Sequence, residues 1–117
     1  MSRGKKKARV RKHIPGVMNG LETRYAEELE QQKQRGEIHS YRFEEIRLVL
    51  AKRTTYMPDF FVVDKDGMAG FHEVKGHWMG TGRVKIKVAA AQFPEFSFIA
   101  IQEEAKKRGG GWKYEEF

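Results

Sequence analysis

The stretch "YMPDFFVVDKDGMAGFHEVKG", residues 56–76, places Asp59, Glu73 and Lys75 among apolar residues where a strand should bury its face. Side chains alternate along a strand, so Glu73 and Lys75 share one face and Val74 takes the other. The turn "DKDG", 64–67, ends in Asp-Gly, a strong hairpin signal. Folding the two strands back on each other pairs Asp59, near the start of one, with the end of the other. Pro58 suits a strand start, where its missing N–H matters least. Carboxylates gathered this closely repel one another unless a cation lies between them. With Glu22 added from the preceding helix, three carboxylates supply hard oxygen donors in a number that favours Mg²⁺, with Mn²⁺ able to substitute.

The elements that must position these groups can be read from spacing and punctuation. Asn19 is an expected N-cap and Gly36 an expected C-terminal stop for a helix over about 20–35. At roughly 100° per residue, Leu21, Tyr25, Ala26 and Leu29 share one face of that helix, with Glu22 near its centre. Glu27 and Glu30 point away and Glu28 lies at the margin, so Glu22 is the carboxylate the helix can add to the group. Strands are expected over 40–50, 56–63 and 68–75. Glu44 and Glu45 cannot both face inward on the first of these, which leaves one in solvent. "GHWMGTG" reads as a glycine-rich connection, and "RVKIKVAAAQF", 83–93, as a second helix stopped by Pro94. A buried strand follows at 96–102, then a solvated loop and a short terminal edge strand at "WKYEEF". The order α-β-β-β-α-β predicts an α/β fold, a mixed sheet flanked by helices.

Charge divides the chain unevenly. Residues 1–12 hold Arg3, Lys5, Lys6, Lys7, Arg9, Arg11 and Lys12 and no acid; the remaining 16 basic residues balance the 16 acids. The net charge of +7 therefore belongs to an arm, residues 1–17, appended to one domain over 18–117. A polyanion is the expected partner of that arm. The chain has no cysteine, which excludes disulfides and thiolate zinc sites, and its four histidines lack zinc-ligand spacing. No apolar run approaches the roughly 18 residues of a membrane helix, so the expected setting is cytoplasmic, with no membrane partner.

Pro58-Asp59, then Glu73-Val74-Lys75 after a hairpin, preceded by a helix bearing Glu22, resembles the PD-(D/E)XK nuclease superfamily. The α-β-β-β-α-β order is similar to its restriction-endonuclease-like core. More closely, "LETRYAEELEQQKQRGEI", "TTYMPDFFVV", "HEVKGHW" and "RVKIKVAAAQFP" resemble small phage-encoded members grouped as a domain of unknown function. The likeness covers about residues 18–117.

The resemblance implies Mg²⁺-dependent hydrolysis of DNA phosphodiester bonds, in recombination, repair or processing of phage DNA inside a bacterial host. It implies that Asp59 and Glu73 bind the metal, with the Val74 carbonyl as a further ligand and Glu22 as the helix carboxylate. Lys75 would orient the attacking water and stabilise charge on the phosphate. Its carboxylate neighbours should keep it charged. Arg83 and Lys87, one stripe of the second helix, are expected to meet phosphate, with Lys85 and Gln92 as further contacts. Related small nucleases act as dimers, so a homodimer is an expected assembly. The alternative is a catalytically inactive protein that keeps a nuclease fold and serves as a DNA-binding or accessory module. His72 alternates away from Glu73 and reads as a packing residue. Trp78 is expected to stack on a base or anchor its loop.

Overall fold

Asn19 accepts the N–H of Glu22 through its side chain, and Glu22 accepts the N–H of Asn19 in return. This reciprocal capping box starts helix α1, Gly20–Gln34, where the sequence places it. The computed structural model describes residues 14–76 and 80–117. After α1 come strands β1 (Ile38–Phe43), β2 (Leu48–Ala51), β3 (Thr54–Tyr56), β4 (Phe60–Asp64) and β5 (Ala69–Val74). Helix α2 (Gly80–Gln92), β6 (Ser97–Glu103), a short 3₁₀ turn (Lys106–Arg108) and β7 (Trp112–Glu116) complete the chain.

The protein is α/β. Its main sheet has the order β1-β4-β5-β6-β7, parallel between β5 and β6 and antiparallel elsewhere. One face packs Phe60, Val62, Val74 and Ile101 against Tyr25 and Leu29 of α1. The other packs Phe71, Phe98 and Ala100 against Ile86 and Ala89 of α2. Burying both faces of a mixed sheet under helices leaves its strand ends as the places where polar groups converge.

Two strands expected as continuous are each split. The segment 40–50 breaks after β1, because Glu44 takes a left-handed backbone at φ 49°. The segment 56–63 breaks at Met57 and Pro58, between β3 and β4. The inner pieces, β2 and β3, pair with each other in a separate two-stranded ribbon, Leu48 opposite Tyr56. Helix α2 begins three residues earlier than expected, taking in Gly80 and Gly82. At the β4–β5 turn, Gly67 has φ 85°, and Asp64 caps the turn by accepting the N–H groups of Asp66 and Met68.

Candidate metal centre

Asp59 stands in the bend just before β4 and ties three strand ends together. Its main-chain oxygen accepts the N–H of Glu44 at 2.8 Å, just past β1. Its Oδ2 accepts the N–H of Val74 at 2.8 Å, at the end of β5. Asp59 is only 7% exposed. Among the described residues, nothing donates to its other oxygen, Oδ1. Burial is the main cause that pushes the Asp59 carboxyl up to about 8, and the charge of Glu73 is the next. The Val74 N–H pulls the other way, Glu22 adds to the rise, and Lys75 opposes it.

Glu73 is equally buried, on the face of β5 that looks toward α2 and the ribbon. Its two oxygens have different partners. The Tyr56 hydroxyl donates to Oε1 at 2.9 Å, and Lys75 Nζ lies 3.0 Å from Oε2. Burial works to lower the Lys75 pKa, but Glu73, Asp59 and Glu22 outweigh it, and the net shift is upward. Lys75 is therefore an ammonium at neutral pH and not a neutral base. Burial, then Glu73, holds the Tyr56 phenol far above its ordinary value, so its hydroxyl stays a donor.

Glu22 enters from the first turn of α1, 8% exposed. One of its oxygens, Oε1, belongs to the capping box; among the described residues nothing donates to Oε2. Glu22, Glu44 and Asp59 each offer an oxygen, and these three atoms lie within 4.8 Å of one another. Glu44 is the residue sequence reasoning missed. It is half-buried, and its Oε1 accepts the N–H of Gly16 at 2.9 Å. Inside a continuous strand, alternation leaves open which of Glu44 and Glu45 faces inward and joins neither to the group. The left-handed break at Glu44 redirects the chain there.

The four residues expected to share a site thus meet at the amino end of α1, the amino end of β4 and the carboxyl end of β5. Glu73 is not one of the three most closely grouped carboxylates, yet its charge acts on Asp59 and both are bridged electrostatically by Lys75. Four carboxyl groups against one ammonium leave net negative charge in a largely buried setting even while Asp59 holds its proton, and among the described residues nothing donates to one oxygen of Asp59 or to one of Glu22. Every donor is a hard oxygen. That donor set fits Mg²⁺ or Mn²⁺.

Helix α2 presents its polar residues differently from expectation. Arg83 makes a two-point contact with Glu115, at 3.0 and 2.7 Å, and its guanidinium lies over the Phe117 ring. Lys85 Nζ donates to the Thr55 carbonyl at 3.0 Å, and Gln92 Nε2 to the Leu50 carbonyl at 2.8 Å. These three side chains hold protein partners where phosphate contacts were expected. Lys87 is exposed beside a shallow groove of about 420 Å³ shared with Ala90, Ala91 and Phe117. The arm cations Lys5, Lys6, Lys7, Arg9, Arg11 and Lys12 lie outside the described residues, as do His77 and Trp78. His72 packs as expected on the far face. Tyr25 Oη lies 2.7 Å from its Nδ1, and burial lowers the imidazole to about 4.

Among the described residues, no helix is long and apolar enough to cross a membrane. No protein-family model matches the chain, and no curated protein and no solved structure is significantly similar to it.

Proposed function

We propose that the protein is a metal-dependent endonuclease of the PD-(D/E)XK type that hydrolyses phosphodiester bonds in DNA. The observation that carries the reading is the convergence of buried Asp59 and Glu73 with a charged Lys75 at one end of the β4–β5 hairpin. A group of this kind is costly to bury without a role.

Asp59 and Glu73 would hold the cation, with Glu22, Glu44 and the Val74 carbonyl completing its surroundings. A bound Mg²⁺ supplies positive charge for the phosphate and brings the pKa of water toward neutrality. Lys75, kept charged by its carboxylate neighbours, orients the attacking water and offsets charge building on the phosphate oxygens. Water adds to phosphorus and releases a proton to solvent, the P–O bond to one sugar breaks, and the leaving oxygen takes up a proton from solvent, so one water is consumed per bond cut. A domain of about 100 residues leaves little room for a helix devoted to reading bases. The substrate is accordingly recognised by shape or without selectivity, with the basic arm adding affinity for the backbone. Cutting both strands of a branched substrate symmetrically needs two sites, which a homodimer provides. The setting is the cytoplasm of a bacterial host, on phage DNA in recombination, repair or processing.

The test is incubation of the purified protein with linear duplex, single-strand, flap and four-way-junction DNA, in Mg²⁺, Mn²⁺ or EDTA, beside Asp59→Ala. Metal-dependent products that vanish in the variant are expected. DNA binding without any cleavage, unaffected by Asp59→Ala, would replace this reading with an inactive DNA-binding module.

A further inference from the structure

The ribbon β2–β3 is joined to the body by its apolar side chains, by two side chains of α2 and by the hydroxyl of Tyr56. Its strands pair with each other and not with the main sheet. On the inner side, Leu48, Leu50 and Tyr56 enter the core beside Phe71, Ile86 and Ala89. On the helix side, two polar side chains of α2 grip its main chain, Lys85 at Thr55 and Gln92 at Leu50. Thr55 is the residue before Tyr56, and Leu50 lies on the strand opposite. The ribbon is thereby held at both strands, with the Tyr56 ring buried at 8% exposure and its hydroxyl 2.9 Å from Glu73 Oε1.

We infer that Tyr56 is a positioning residue of the metal centre, which fixes the Glu73 carboxylate through its hydroxyl and is itself aimed by the α2-gripped ribbon. The inference rests on the metal-centre reading above. Glu73 ends a flexible side chain at the close of a strand, where rotation would swing its charge away from Asp59. With Tyr56 on Oε1 and Lys75 on Oε2, both oxygens are held from two sides. A neutral hydroxyl donor leaves the carboxylate's negative charge in place, where a second cation would compete with the metal. Partners that orient ligating carboxylates typically contribute tenfold or more to metal affinity. This arrangement also accounts for Lys85 and Gln92, which act on the site through the ribbon.

The test is calorimetric titration of the full chain with Mn²⁺, comparing the native protein with Tyr56→Phe and with Phe98→Leu, each also melted in EDTA. Tyr56→Phe keeps the ring and removes only the hydroxyl. Phe98→Leu disturbs the same core from β6 and leaves the hydroxyl alone. The expected result is a loss of about tenfold in Mn²⁺ affinity for Tyr56→Phe, and less than twofold for Phe98→Leu despite its lower melting temperature. Native affinity in Tyr56→Phe would overturn the inference, as would equal losses in both variants, which would mean that affinity follows core stability. Absence of Mn²⁺ binding by the native protein would instead overturn the metal-centre reading, and this inference with it.

Discussion

The Val74 N–H donates to Asp59 Oδ2 at 2.8 Å, so the carboxylate that opens β4 also closes the end of β5. The last main-chain pair of that hairpin is Phe60 with His72. Beyond it, the side chain of Asp59 takes over the ladder and holds the two strand ends at a fixed spacing. One residue thereby serves the sheet with one oxygen and, among the described residues, has no donor on the other.

This double duty predicts that Asp59→Asn stabilises the protein in the absence of metal. Asparagine still accepts the Val74 N–H but carries no charge to bury beside Glu73 and Glu22. Thermal melts in EDTA at pH 8 should rise by several degrees, on the order of 1–3 kcal/mol. A lower melting temperature would show that the Asp59 charge is already neutralised by something other than metal.

The same group sets a pH dependence. An unfolded aspartate releases its proton near pH 4, whereas the folded Asp59 keeps it up to about 8. The folded state binds the extra proton across that window, so the Asp59 contribution to stability is lost as pH rises from about 4 to about 8. In the proposed metal centre a divalent cation would take the proton's place, and its stabilising effect should therefore grow with pH over the same range. Melts in EDTA and in excess Mg²⁺ from pH 5 to pH 9 measure both trends; a metal-induced shift that stays constant with pH would contradict them.

Lys75 can be separated from the proposed metal ligands by kinetics. Lys75→Met removes the charge, and Lys75→Arg keeps it on a planar group of different reach. Single-turnover cleavage should fall at least about 100-fold in Lys75→Met. Lys75→Arg should recover only part of that. If both variants turned over at the native rate, Lys75 would have no part in the reaction.

The arm should act on affinity alone. Removing residues 1–12 takes away seven cations. The slope of log affinity against log salt for duplex DNA should then become shallower by up to about 6. Cleavage at saturating DNA should persist. A slope unchanged by the deletion would leave the arm without contact to the backbone.

Much of this architecture could be read from local pattern. Helix α1 spans Gly20–Gln34 against an expected 20–35, and Glu22 faces inward as the spacing requires. The Asp-Gly turn and the strands on either side of it also lie where alternation puts them, which is why Asp59, Glu73 and Lys75 could be placed at one end of a hairpin. Other features depend on partners distant in the chain. Arg83 pairs with Glu115, and Lys85 and Gln92 reach back to Thr55 and Leu50. A helical stripe of cations reads the same whether it faces phosphate or protein. Alternation left open which of Glu44 and Glu45 faces inward, and the left-handed turn that brings Glu44 to the group has no compositional signal at a glutamate; glycine or asparagine would have announced it.

The separateness of the β2–β3 ribbon bears on how the site can be lost. A two-stranded hairpin has little stability of its own, and this one borrows its stability from α2 and the apolar core. Because its strands pair only with each other, we expect it to open as a unit before the five-stranded sheet does. Amide exchange in β2 and β3 should therefore outpace that in β4 and β5. Such an opening would withdraw the Tyr56 hydroxyl from Glu73, and the candidate site would then be intact for less time than the fold that carries it.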